Sequence, residues 1–153
     1  MEVPEETDAL RAARRQRRGV RAALVTLESA AASSARDPSW SSVLSERMRA
    51  LGEAFAHHVS VTEGESGLFE ETLERAPRLA RRTTLLRDDH VAITAAIAGT
   101  LEAIEAALDP LDDETIVAIR ASVTDVMGRI TRHRQRGADL VHEAYSIDIE
   151  GGD

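Results

Sequence analysis

Apolar residues recur at three- and four-residue spacing in four long stretches of the chain, the period of helices with one buried face. The first runs through Leu10, Ala13, Val20, Leu24, Leu27 and Ala31, with Arg17 in the same seam, and predicts a helix over about Thr7–Ser34. The second runs through Leu44, Met48, Leu51 and Phe55, and its next step is His58. The third is the clearest: Leu79, Thr83, Leu86, His90, Ile93, Ile97, Leu101, Ile104 and Leu108. The fourth follows Ile116, Ile119, Val123, Val126, Ile130, His133, Gly137, Leu140 and Ala144. No stretch alternates with the period of a strand.

The breaks fall between these runs. Asp37-Pro38 interrupts the chain, and Ser39 is placed to cap the second helix. Gly64 and Gly67 weaken that helix after the histidine; LFEETLER is helical again, so a bulge or short break with helix resuming at Leu68 is expected. Pro77 and Asp109-Pro110 mark the next two boundaries, and Asp112 to Glu114 supply a capping carboxylate and first-turn acids. Long helices with short connections predict an all-α fold, an antiparallel up-down-up-down four-helix bundle. Its two longest helices span roughly 45–50 Å. A single domain covers 1–153, with residues 1–6 frayed and an irregular tail over about 146–153.

Composition narrows the function classes. The 153 residues suffice for one buried core. There is no Cys, which removes disulfides, thiol catalysis and cysteine-ligated zinc. A net charge of −8 argues against general nucleic-acid binding, and no run is long and apolar enough to span a membrane. The acidic opening MEVPEETDAL does not read as a signal peptide, so a cytoplasmic protein is expected. Every basic residue is an arginine, and six lie between Arg11 and Arg21. Without interleaved aromatics that cluster reads better as a solvated face than as a phosphate patch.

The chemistry concentrates where three seams carry an imidazole in place of Leu, Ile or Val: His58, His90 and His133. Counting along the helices sets His90 and His133 nearly level; His58 comes within a few turns of His90 if the second helix continues, kinked, to about Arg75, and sits apart near a bundle end if it stops at Val61. Glu63 and Glu65 follow His58 at five and seven residues, neither the four-residue step of a regular helix. Histidine and carboxylate from bundle helices are a usual ligand set for iron or manganese, whereas a single core histidine is more often a hydrogen-bonded interior residue. His57 and His142 read as exposed, Tyr145 as a packing residue at the bundle end, and Trp40 as packing between the first helices. No nucleophile-elbow or phosphate-loop motif is present.

His58, Glu63, Glu65 and Leu68-Phe69 on the second helix, Leu86-Arg87-Asp88-Asp89-His90 on the third and Ile130-Thr131-Arg132-His133 on the fourth together resemble the hemerythrin-like, or HHE cation-binding, family over residues 15–145. The ending HRQRGADLVHEAY is also similar to that of small actinobacterial members. The resemblance implies a four-helix bundle with a non-haem iron site in its core, with a metal ion and dioxygen as partners and His58, Glu63, Glu65, His90 and His133 as the metal residues. The chain departs from the family pattern in three places: no histidine precedes His57, the third helix carries one histidine, and Arg134 and Arg136 follow His133. A degenerate site with one iron at most is therefore expected, in an oxygen, redox, metal-sensing or storage role. The alternative is a metal-free interaction or regulatory bundle that has lost the di-iron site; catalysis is the weakest class. A homodimer is compatible with the pattern.

Overall fold

The computed structural model describes residues 5–146; the remainder of the expected tail, and residues 1–4 of the expected frayed start, lie outside the described residues. The chain is all-helical, with four long helices, α1 (Asp8–Ala32), α2 (Trp40–Glu63), α4 (Ala80–Ala106) and α5 (Asp113–Ser146). A short α3 (Leu68–Arg75) and a 3-10 turn (Pro77–Leu79) lie between α2 and α4. Among the described residues there is no strand, and no helix is long and apolar enough to cross a membrane.

Local chemistry sets the helix ends. Thr7 accepts from the Leu10 amide at 3.2 Å and starts α1, and Asp112 accepts from the Thr115 amide at 2.7 Å and starts α5. Ser39 stands at the cap position of α2 but does not use its side chain as a cap. Its backbone is already near-helical (φ −85°, ψ −5°), and its hydroxyl instead donates to Asp37 Oδ1 at 2.8 Å. The α2–α3 break falls in the expected stretch, with helix resuming at Leu68. Ser66 there takes φ 55°, and a Cβ on Gly67 would lie 2.6 Å from the Val61 carbonyl oxygen. That close backbone approach requires glycine. Glu70 reaches back to the Ser66 amide at 2.9 Å and holds the start of α3.

The apolar seams meet in one main core. Val20, Leu24 and Leu27 of α1 pack with Leu44, Met48, Leu51 and Phe55 of α2, Ile93, Ile97 and Ile104 of α4, and Ile119, Val123, Val126 and Ile130 of α5. Each such side chain, removed from water, stabilises the fold by about 1.5–3 kcal/mol before the entropy of ordering it. Leu108, expected to extend the α4 seam, is 84 % exposed, because the helix ends at Ala106. Polar ties join the helices near their ends: Glu105 of α4 with Ser45 and Arg49 of α2, Arg82 of α4 with Glu143 of α5, and Arg120 of α5 with the Ala31 and Ser33 carbonyls at the end of α1. Trp40 is buried and donates to the Ala30 carbonyl at 3.1 Å.

The early end of α2 does not isolate His58. Where α2 stops, α3 takes over the packing: Phe69 joins Leu79, Leu86, Leu140 and Ala144, and Leu68 joins Leu10 and Ala13. Tyr145 closes this end, its hydroxyl donating to Glu71, which also accepts from Thr7 at 2.7 Å. His58 thus lies about a turn and a half before the end of α2 and His90 nearly three turns after the start of α4, where Phe69 of α3 stacks on it.

Candidate metal centre

Three helices each contribute one imidazole to a single cluster. His58 comes from the last turns of α2, where the Thr62 hydroxyl donates to its carbonyl at 2.8 Å. His90 comes from α4 and His133 from α5, both buried at 2–3 % exposure. His133 Nε2 lies 3.2 Å from His58 Nε2 and 3.1 Å from His90 Nε2. One ring nitrogen from each of the three lies within 4.8 Å of the others. Two nitrogens that share an ion at about 2.0–2.1 Å are separated by about 2.9–3.4 Å for angles between octahedral and tetrahedral. The two short spacings fall in that range.

Carboxylates stand on the outer side of the rings. Asp89 Oδ2 is 3.1 Å from His133 Nδ1, and Arg136 donates to both Asp89 oxygens at 2.8 and 3.0 Å. Burial raises the Asp89 pKa, but the bonds from His133 and Arg136 outweigh it and hold the carboxyl below its usual range. An ionised carboxylate only accepts, so His133 carries its proton on Nδ1 and turns the Nε2 lone pair inward. Glu63 Oε1 stands 3.6 Å from His90 Nδ1, past hydrogen-bonding distance, and leaves that buried nitrogen without a partner. A carboxylate behind a ligating imidazole is the arrangement that orients it toward a metal.

Glu63 and Glu65 were expected among the metal residues, and neither belongs to the group of three ring nitrogens. Glu63, the last residue of α2, faces His90 from behind and lies 3.6 Å from Arg87. Glu65 is exposed in the 64–67 turn, because the chain leaves the helix before reaching it. His57 and His142 are exposed. Asp89 and Phe69 were missed as site residues. The sequence signal for Asp89 was its place directly before His90, on the α4 flank that turns toward α5. Phe69 had a weaker signal, as the apolar residue that follows the glycine break.

The surroundings keep all three imidazoles neutral. Phe55 packs against all three rings, with centroids 5.6–6.0 Å away, and Phe69 stacks on His90 at 5.6 Å. Burial, then His133, then Arg17 and Arg134 push the His58 pKa down to about 4. Burial, His133 and His58 push His90 down to about 3. Burial also lowers His133, against the upward pull of Asp89. Neutral imidazole is the form that ligates. A cavity of about 10 Å³ opens beside His58 and His133, with Arg17 and Arg134 in its wall. Three neutral nitrogen donors, with two of their spacings metal-compatible, suit a borderline transition metal better than calcium or magnesium.

No family model, curated protein or solved structure matches this chain.

Proposed function

We propose that this chain is a hemerythrin-like bundle, antiparallel and up-down-up-down, that holds one transition-metal ion on Nε2 of His58, His90 and His133. Iron is the favoured ion, and the role is oxygen, redox or metal sensing, or storage, in the cytoplasm. The carrying observation is that the His58 and His90 Nε2 atoms lie 3.2 and 3.1 Å from the His133 Nε2 inside the helical core. The pairing of Glu105 with Arg49, and of Arg82 with Glu143, supports the antiparallel arrangement. When bound, the ion supplies a Lewis-acidic or redox-active centre with a position left for an outside ligand. The chain's own groups orient and enclose. Asp89 fixes the His133 tautomer, Glu63 faces His90 Nδ1, and Phe55 and Phe69 keep water off the rings. Arg17 and Arg134 oppose a second cation, which favours one ion over two.

A metal-free interaction or regulatory bundle is the second reading, and the same short distances favour it. His58 and His90 can each donate Nε2–H to the His133 lone pair. His90 Nδ1 would then be a buried acceptor facing the Glu63 carboxylate, without a donor of its own. Loss of a hydrogen bond at such a group costs about 1–3 kcal/mol, which weighs toward the metal.

The test is metal analysis of the natively purified protein, with melting before and after chelation. Near-stoichiometric iron and a large chelator-induced drop in Tm are expected. Absent metal, together with an unchanged Tm on adding iron or zinc, would leave only the metal-free bundle.

A further inference from the structure

The outer side of the α4–α5 pair carries a positive hollow that the metal site leaves unused. Arg129, Arg132 and Arg136 follow one another at three and four residues on α5 and so share one helix face. They line a hollow of about 300 Å³ against Asp89, Ala92 and Ile93 of α4. Most of their donors are unspent. Arg129 uses its Nε on Asp125 at 2.8 Å, in an exposed pair four residues apart, and keeps both Nη groups. Arg136 spends only Nη1, on Asp89, and keeps Nε and Nη2. Arg132 has no hydrogen-bond or ion-pair partner among the described residues. Its guanidinium lies back along α5, with Nη1 3.2 Å from the point where a Cβ on Gly128 would stand. In the wall itself three guanidinium charges face one carboxylate, a surplus of two, although the chain as a whole carries −8. Like charges at this spacing along a helix repel, and a bound anion removes the repulsion.

We propose that Arg129, Arg132 and Arg136 bind a phosphoryl group, as free phosphate or as a phosphomonoester, in the α4–α5 hollow. Guanidinium presents its N–H groups as a fork that matches two phosphate oxygens. A phosphate monoester carries about −1.5 to −2 near pH 7, which matches the surplus in the wall; a monovalent anion leaves part of it unbalanced. Room is present, because the hollow far exceeds the roughly 10–15 Å³ that holds one water. An ester also has a place for its organic part. A groove of about 510 Å³ lined by Arg82, Leu85, Leu86 and His142 shares Arg136 with the hollow, and Leu85 is half exposed in it. The site goes beyond the metal reading and stands without it, since it uses arginine donors and no imidazole.

The experiment uses the full chain stripped of metal by chelation, so that its result does not depend on whether a metal binds. Inorganic phosphate, phenyl phosphate and nitrate are titrated at constant ionic strength, with calorimetric heat and Tm as readouts. Parent, R129Q, R132Q and R15Q are compared. Arg15 is an exposed arginine of α1 outside the hollow, so R15Q removes the same charge elsewhere. Saturable binding of phosphate or phenyl phosphate is expected, about tenfold or more weaker in R129Q and in R132Q and unchanged in R15Q, with nitrate bound about tenfold or more weaker by the parent. R132Q should melt with the parent in the absence of anion, because Arg132 has no partner to lose; this separates lost binding from lost fold. Tighter binding of phenyl phosphate supports the ester as the ligand, and tighter binding of inorganic phosphate supports the free ion. Absence of saturable binding of both phosphates by the parent, binding unchanged in R132Q, an equal loss in R15Q, or nitrate bound as tightly as phosphate would each overturn the proposal.

Discussion

Replacing Asp89 with Asn changes one hydrogen-bonding group at the back of His133 and leaves the packing volume nearly constant. Asp89 accepts from His133 Nδ1 at 3.1 Å and is held ionised, so it permits only the tautomer whose Nε2 lone pair faces the other two imidazoles. An amide has both a donor and an acceptor and permits either tautomer. In the tautomer with Nε2–H, three Nε2 atoms meet with no lone pair from His133. Loss of such an orienting partner weakens metal affinity by about 10–100-fold, or about 1.4–2.7 kcal/mol. The stability effect has two parts. The Arg136 pair contributes at most about 1 kcal/mol, because the arginine side chain is 57 % exposed. The bond to the buried His133 is charge-assisted and contributes about 1.5–3 kcal/mol. The assay is competition of parent and Asp89→Asn against a chelator for iron and for zinc, with denaturant unfolding of the metal-free forms alongside. Stability lower by a few kcal/mol with metal affinity within twofold of the parent would refute the tautomer argument. It would show that His133 is oriented by packing alone.

Further outcomes are expected. The metal-free protein loses stability on acidification from pH 6.5 toward 4: unfolded histidines take up protons at their ordinary value of 6.5, while folded His58 and His90 stay neutral down to about 4 and 3. The stability is therefore fully present above 6.5 and falls at up to about 2.7 kcal/mol per pH unit for two protons, and denaturant unfolding that is flat between pH 7 and 5 would contradict it. Gly67→Ala destabilises by about 1–3 kcal/mol, since the new Cβ would lie 2.6 Å from the Val61 oxygen and 2.7 Å from the Gly64 oxygen; an unchanged Tm would show that the turn can shift freely. Phe55→Ala costs about 3–5 kcal/mol, read by denaturant midpoint, because the ring is 2 % exposed and lies against all three imidazoles. Glu65→Ala leaves metal affinity unchanged in the same competition assay, whereas Glu63→Gln lowers it; equal effects would undo the assignment of Glu63 to His90.

The seams of the four long helices were legible because burial of one face imposes a helical period on the sequence, and Asp37-Pro38, Pro77 and Asp109-Pro110 interrupt that period. The three imidazoles stood out for the same reason, as polar side chains on Leu/Ile/Val positions. Two glycines predicted the α2–α3 break, since close backbone contact excludes a Cβ there. Tertiary structure decided what periodicity cannot carry. Whether His58 reaches His90 depended on α3 replacing the missing turns of α2, a choice made by Leu68 and Phe69 finding partners on α1, α4 and α5. The carboxylate partners followed from the same step. Once the helix stops at Glu63, Glu65 turns to solvent, and Asp89, one residue from His90, becomes the group behind His133. Arg17 was visible in the α1 seam, but its pairing with Arg134 required α1 and α5 to close on one cavity. Spacing along a helix fixes which face a residue takes; which residue faces it across the bundle is set by how the helices pack.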